Sequence, residues 1–267
     1  TILLGELLRA RGLPFDVLTR GYGRSTSGVA VVDPAGSPRQ YGDEPLLMAR
    51  RLETPVIVGE DRYEAGLVAE RKHGPRIHLL DDGFQHRQLH RDFDIVLVTP
   101  EDARDRLLPA GRLREPLSSL TRADAVVLAS GADFAMLPSA AGKLVWRSRR
   151  GILPRTVPPQ PVAFCGIARP QNFFAQLRTA GIDTAAEAVF RDHHAYTASD
   201  IQQLLDLRQR SGAGGFVTTE KDAINLEGFL SKLEPLAVVP VRMQLENAGQ
   251  AIDAMLDTLR HRGKRVP

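Results

Sequence analysis

Asp81 and Asp82 stand side by side where the apolar run Ile77-His78-Leu79-Leu80 gives way to Gly83, Phe84, Gln85 and His86. An apolar run closed by a turn signal reads as a buried strand, Arg76 to Asp81. In α/β sheets, ligands bind beyond the carboxyl ends of the strands. Two adjacent carboxylates placed there offer the oxygen donors that a hard cation such as Mg²⁺ takes. Gly83 lets the chain turn sharply and bring Gln85 and His86 back over the same spot. The plainer alternative is a solvated Asp-Asp-Gly turn.

Other stretches carry comparable chemistry. Gly42-Asp43-Glu44-Pro45 opens an apolar-periodic helix, and capping accounts for all of it: Asp43 as N-cap, Glu44 on the helix dipole, Pro45 in the first turn. The same geometry holds a carboxylate rigidly enough to serve as a base or a metal ligand. Arg20-Gly21-Tyr22-Gly23-Arg24 follows a strand and can turn backbone N–H groups and guanidinium forks toward an anion, or simply form a tight turn. Leu108 to Pro116 is a long irregular segment in which Arg114 and Glu115 either face a ligand or pair with each other. In Arg191-Asp192-His193-His194 a carboxylate beside an imidazole suits proton transfer, although adjacent histidines point apart. Thr219-Glu220-Lys221-Asp222 reads as a helix cap or as a lysine offered to a phosphate.

The elements that must position these residues alternate. Strands are expected at Phe15 to Thr19, Val29 to Val32, Pro55 to Gly59, Arg76 to Asp81, Asp94 to Thr99 and Ala125 to Ala129, with helices at Glu44 to Leu52 and Arg62 to His73. That pattern implies a mostly parallel sheet with helices on both faces. From Val145 to Pro161 the texture turns Arg-rich and then Pro-rich, which predicts a linker at 151–161. Strand and helix then alternate again from Val162, with a helix capped by Ser199, a helix from Ala223 to Leu233 and a last one from Gly249 to Arg260. The expected organisation is a core over 1–150 and a smaller α/β domain over 162–267.

The bulk composition narrows the class. The 267 residues are 43% hydrophobic and 25% charged, as in an ordinary globular protein with a full core. One cysteine, Cys165, excludes an internal disulfide framework and suits a reducing compartment. No apolar run approaches the roughly 18 residues that a membrane span needs. The net charge is only +3, and the arginine clusters (147, 149 and 150, and the tail His261, Arg262, Lys264, Arg265) lack interleaved aromatics, so nucleic acid is not expected as a partner. Thr1 to Arg11 is already helix-like, so an upstream segment is expected to be missing.

In order along the chain, Thr19 to Arg24 (TRGYGR), Gly42 to Leu47 (GDEPLL), Asp81 to His86 (DDGFQH), Leu107 to Pro116 (LLPAGRLREP), Asp192-His193-His194 and Thr219 to Ala223 (TEKDA) resemble the tetraacyldisaccharide 4′-kinase family. The resemblance implies a P-loop NTPase-like α/β core and a smaller domain. It implies ATP and Mg²⁺ as cofactors, and phosphorylation of the 4′-hydroxyl of a tetraacylated glucosamine disaccharide 1-phosphate to give lipid IVA. It also implies peripheral contact with the cytoplasmic face of the bacterial inner membrane, where that lipid resides. By position, Asp43 resembles the base that takes the sugar hydroxyl proton and His193 the partner that orients it. Glu44, Asp81 and Asp82 resemble the Mg²⁺-side carboxylates. Arg20, Gly21, Gly23, Gln85, His86, Arg114 and Glu115 resemble residues around the nucleotide.

The chain departs from the family in containing no G-x-x-x-x-G-K-[ST], the loop that cradles nucleotide phosphates. Nor does it contain the family's hydrophobic N-terminal helix. As it stands the chain is therefore expected to be a soluble fragment, nearly inactive. Two other readings compete: another P-loop ATP-dependent enzyme with a different acceptor, and a non-catalytic anion-binding module, which would have no use for carboxylates clustered at strand ends.

Overall fold

The structure, a computed structural model, describes residues 1–152 and 156–263. Lys264 and Arg265 of the basic tail, and Pro154 of the expected linker, lie outside the described residues. The chain packs as two compact units, each built from two stretches: 1–81 with 151–242, and 82–150 with the chain from 243 onward.

The first stretch runs α1 (Ile2–Ala10), β1 (Phe15–Thr19), β2 (Ala30–Val31), α2 (Pro38–Tyr41), α3 (Asp43–Leu52), β3 (Val56–Val58), α4 (Arg62–His73) and β4 (Ile77–Leu80). Its sheet has the order β2-β3-β1-β4, with β1 parallel to both β3 and β4, and β2 antiparallel on β3. All five residues of β1 are buried, as a central strand covered on both faces requires. Asp61 caps α4 by accepting from the backbone N–H groups of Tyr63 and Glu64.

In the second unit, β5 (Ile95–Val98), β6 (Ala125–Ala129) and β7 (Leu144–Ile152) run parallel. The Arg-rich texture from Val145 onward is thus a strand, not the start of a linker. Trp146 and Ser148 are buried while Val145, Arg147 and Arg149 are exposed, so the period of two is present, with arginines on its outer face.

The first unit resumes with β8 (Val162–Cys165), α5 (Pro170–Thr179), β9 (Ala186–Val189), α6 (Ala198–Ser211), β10 (Phe216–Thr219), α7 (Glu220–Leu226) and β11 (Leu236–Val239). These strands form an all-parallel sheet, β11-β10-β8-β9. Successive residues feed opposite cores: Val162, Phe164 and Phe216 pack with Ile201 and Leu204, and Ala163, Cys165 and Val217 with Phe173, Phe174 and Leu177. Thr197, not Ser199, caps α6, in a reciprocal capping box with Asp200. The expected Ala223–Leu233 helix starts earlier, at Glu220, because Thr219 accepts from the Asp222 N–H, and it continues beyond Leu226 only as a 3₁₀ segment.

Finally β12 (Val241–Leu245) and α8 (Ala248–Gly263) return to the second unit, where β12 pairs with β7 in the order β12-β7-β6-β5. The end of the chain therefore packs with the middle of the sequence rather than with the rest of 162–267. Among the described residues no helix is long and apolar enough to cross a membrane.

Candidate active site

Helix α3 begins abruptly. Gly42 sits at φ 91°, and a Cβ there would lie 2.9 Å from the Tyr22 carbonyl oxygen, so the turn into α3 needs glycine. Asp43 follows as the first helical residue rather than as the N-cap, and it is buried. A buried carboxylate must be hydrogen-bonded. Asp43 accepts from the Glu44 N–H at 2.8 Å and from Asn225 Nδ2 at 3.0 Å, and His193 Nδ1 lies 3.0 Å from both of its oxygens.

His193 reaches it from the turn between β9 and α6. The residue is held in the left-handed region at φ 56°, unusual for a side chain with a Cβ, by its N–H donating to the Gly166 carbonyl and to Asp192. Gly166 in turn donates its own N–H to buried Asp222 at 2.7 Å. Thr219 and Tyr196 also donate to Asp222, so a ring of hydroxyls and one amide fixes the loop that carries His193. The exposed Tyr22 ring lies 5.5 Å from the His193 ring. His194 turns away and pairs with Asp200 at 3.0 Å, as expected of adjacent histidines.

Lys221, in the first turn of α7, lies 3.2 Å from Glu44, from Asp192 and from His193 Nε2, and 3.9 Å from Asp43. Burial alone would lower its pKa, but the carboxylates of Asp43, Glu44 and Asp192 outweigh this and hold it above the usual lysine value.

Asp81 follows β4. At the carboxyl end of the sheet one of its oxygens accepts from the Thr1 hydroxyl at 2.5 Å and the other from Thr19 at 3.3 Å, and the Thr1 ammonium also interacts with it. Gly21 and Gly23, after β1, both have positive φ, and the neighbouring Arg20 is exposed. Among the described residues no three His, Cys, Asp or Glu side chains gather closely enough to hold a metal ion by themselves. Glu44, Asp81 and Asp82 are therefore not a ready-made cage. A nucleotide-bound Mg²⁺ needs only one or two protein carboxylates beside phosphate and water oxygens, and the donors at Asp81 fit that demand.

The second unit has a cleft of its own, of about 400 Å³, whose lining includes Asp82, Gln85, Arg114 and Glu115 beside the apolar Val96, Val98 and Leu120. Arg114 pairs with Asp82 at 2.6 Å and Glu115 with Arg122 at 2.7 Å, so the two do not pair with each other. Hydrogen bonds from Arg122 and Ser119 hold the Glu115 carboxyl below its ordinary range. His86 is half-buried beside this segment, and its carbonyl accepts from Arg91.

This arrangement has counterparts. The family model described as Tetraacyldisaccharide-1-P 4'-kinase matches residues 1–260. The chain belongs to that family. It is 48% identical to the tetraacyldisaccharide 4'-kinase of Koribacter versatilis over 98% of this chain and 84% of the relative. It is 37% identical to that of Geobacter metallireducens over 91% and 78%. Its structure superposes on the crystal structure of LpxK from Aquifex aeolicus in complex with ATP with a TM-score of 0.75 and 31% identity, covering 97% of this chain and 82% of that one. The expected α/β kinase fold is thus the fold found.

Against the family's motifs, the structure unites Asp43 and His193, which lie 150 positions apart. Sequence reasoning missed Asn225, one turn beyond Asp222 on α7. Its only signal was a polar residue inside an otherwise apolar helical face, Ala223-Ile224-Asn225-Leu226.

Proposed function

We propose that this chain is an ATP-dependent kinase that phosphorylates the 4′-hydroxyl of a tetraacyldisaccharide 1-phosphate, giving lipid IVA. The observation that carries this reading is a buried carboxylate, Asp43, whose two oxygens are addressed by an imidazole 3.0 Å away. Asp43 takes the hydroxyl proton as phosphoryl transfer proceeds. Asn225 and the Glu44 N–H keep the carboxylate from rotating, and the His193 Nδ1–H supports its charge before the proton arrives. Bound ATP and Mg²⁺ supply the phosphoryl group and neutralise its charge. Asp81 would supply a carboxylate oxygen to the metal from this chain. Within the second unit, Arg114 lines a cleft with Asp82, Gln85 and Glu115.

Transfer of labelled phosphate from ATP to the tetraacylated acceptor tests this. The assay is run on the 267-residue chain, expected to be slow, and on the chain preceded by the family's Gly-rich phosphate loop, expected to be active. Transfer to unrelated alcohols but not to the lipid disaccharide would replace this reading with that of a different ATP-dependent enzyme.

A four-chain acceptor stays in its bilayer, so the enzyme works at the membrane surface, on the cytoplasmic leaflet where ATP is available. The loop-extended chain should float with vesicles that contain the acceptor. Failure to float with them, despite transfer to acceptor in detergent, would remove the membrane from the proposal.

A further inference from the structure

His193 is engaged at both ring nitrogens. Nδ1 lies 3.0 Å from each oxygen of Asp43, and Nε2 lies 3.2 Å from Lys221 Nζ. A carboxylate can only accept and an ammonium can only donate. Asp192 also approaches Nε2, but at 3.8 Å it is beyond hydrogen-bond distance, so the ring donates from Nδ1 to Asp43 and accepts from Lys221 at Nε2. This is the Nδ1–H tautomer, the less populated form of a neutral histidine side chain free in water. The partner on one nitrogen sets which nitrogen bears the proton.

Resting on the kinase reading above, we propose that Lys221 is a positioning residue that locks His193 in its Nδ1–H form and so aims the donor at Asp43. Lys221 is suited to this because it has little freedom of its own. Only 14% of its side chain is exposed, and Glu44 and Asp192 hold the ammonium at 3.2 Å from opposite ends of the sequence. Its helix is anchored beside it: Glu220 pairs with Arg51 of α3 at 3.1 Å, and Asp222 is buried among three donors.

With the proton on Nε2 instead, the Nδ1 lone pair would face a carboxylate 3.0 Å away. The two would repel, and Asp43 would keep only Asn225 and the Glu44 N–H. Lys221 thus acts through His193. In the family's TEKDA stretch, the lysine then serves proton positioning and is not held out to a phosphate.

The test is nitrogen NMR of the 267-residue chain carrying ¹⁵N-labelled histidine, with His193 assigned from its loss in His193→Gln. Wild type should show Nδ1 protonated and Nε2 bare. In Lys221→Met, Nε2 should gain a proton, whereas Lys221→Arg, which retains a donor, should leave it bare. In the transfer assay, Lys221→Met should lower kcat by about 10–100-fold, the usual effect of losing an orienting partner, with little change in KM for ATP. A protonated Nε2 in wild type, or a bare one in Lys221→Met, overturns the proposal. A protonated Nε2 in wild type overturns it whatever the variant does, and Lys221→Leu takes the place of Lys221→Met should that variant fail to fold. The spectra need neither nucleotide nor acceptor, so this inference and the kinase reading fail separately.

Discussion

The proposed mechanism concentrates its chemistry at one side chain, Asp43. Its burial removes water as a competing partner, and three protein donors replace it. Replacing it with alanine should lower kcat of the loop-extended chain by about 10²–10⁴-fold, the range for a lost general base. KM for ATP should change little, because the residues proposed to face the nucleotide are elsewhere; steady-state kinetics with varied ATP and varied acceptor separate the two. Near-normal turnover would remove Asp43 from the role of base. The residue was legible in the sequence as a carboxylate at a helix start, but capping explained it equally well. What supports the role of base is the approach of His193 and Asn225, 150 and 182 positions away, which leaves no local spacing to read. Arg114 and Glu115 show the reverse: they are adjacent in sequence, yet each finds a more distant partner, Asp82 and Arg122.

At the scale of elements, β1 and β4 carry a pairing unrelated to the kinase site. Buried Asp16 on β1 stands in register with His78 on β4, and His78 Nδ1 lies 2.8 Å from it. Glu70 of α4 is 3.6 Å from the other ring nitrogen, and Arg76 is 4.0 Å from Asp16. The hydrogen bond to Asp16 raises the His78 pKa above its ordinary value of 6.5 against the opposing effect of burial, with Glu70 helping. A group whose pKa rises on folding binds its proton more tightly in the native state. Its contribution is therefore complete below pH 6.5 and is lost as pH climbs through the higher folded value. Urea midpoints should fall across that window in wild type, and the fall should shrink in His78→Gln. An unchanged slope in the variant would show that His78 is not its source. Strand β4 was predictable from its apolar run, whereas the Asp16–His78 register was not. A central strand reads as uniformly apolar, and Asp16 breaks that pattern without naming its partner. Strand β7 was missed for the opposite reason. Its exposed face is arginine at alternate positions, and charge masked a buried face of Trp146 and Ser148.

At the scale of the whole molecule, sequence order and packing order diverge. The alternation of strands and helices announced an α/β protein, and the Pro-rich stretch after 151 suggested two domains cut there. Instead β8 to β11 join the unit that begins at residue 1, while β12 and α8 return to the unit of β5 to β7. Texture reports what the chain does locally, whereas unit membership depends on which strand edge each segment reaches. The consequence can be measured. A chain cut after Arg150 leaves the 1–150 piece without β12, exposing the edge of β7, and without α7, which packs on α3. An unpaired edge strand with a buried apolar face favours aggregation over folding. Neither 1–150 nor 151–267 should then show a cooperative urea transition alone, while the two mixed should regain helix and strand signal in circular dichroism and a sigmoidal melt. A cooperative transition for isolated 1–150 would show that the sequence boundary, not the packing, marks the folding unit, and the partition of Asp43 and His193 between separate domains would have to be restored.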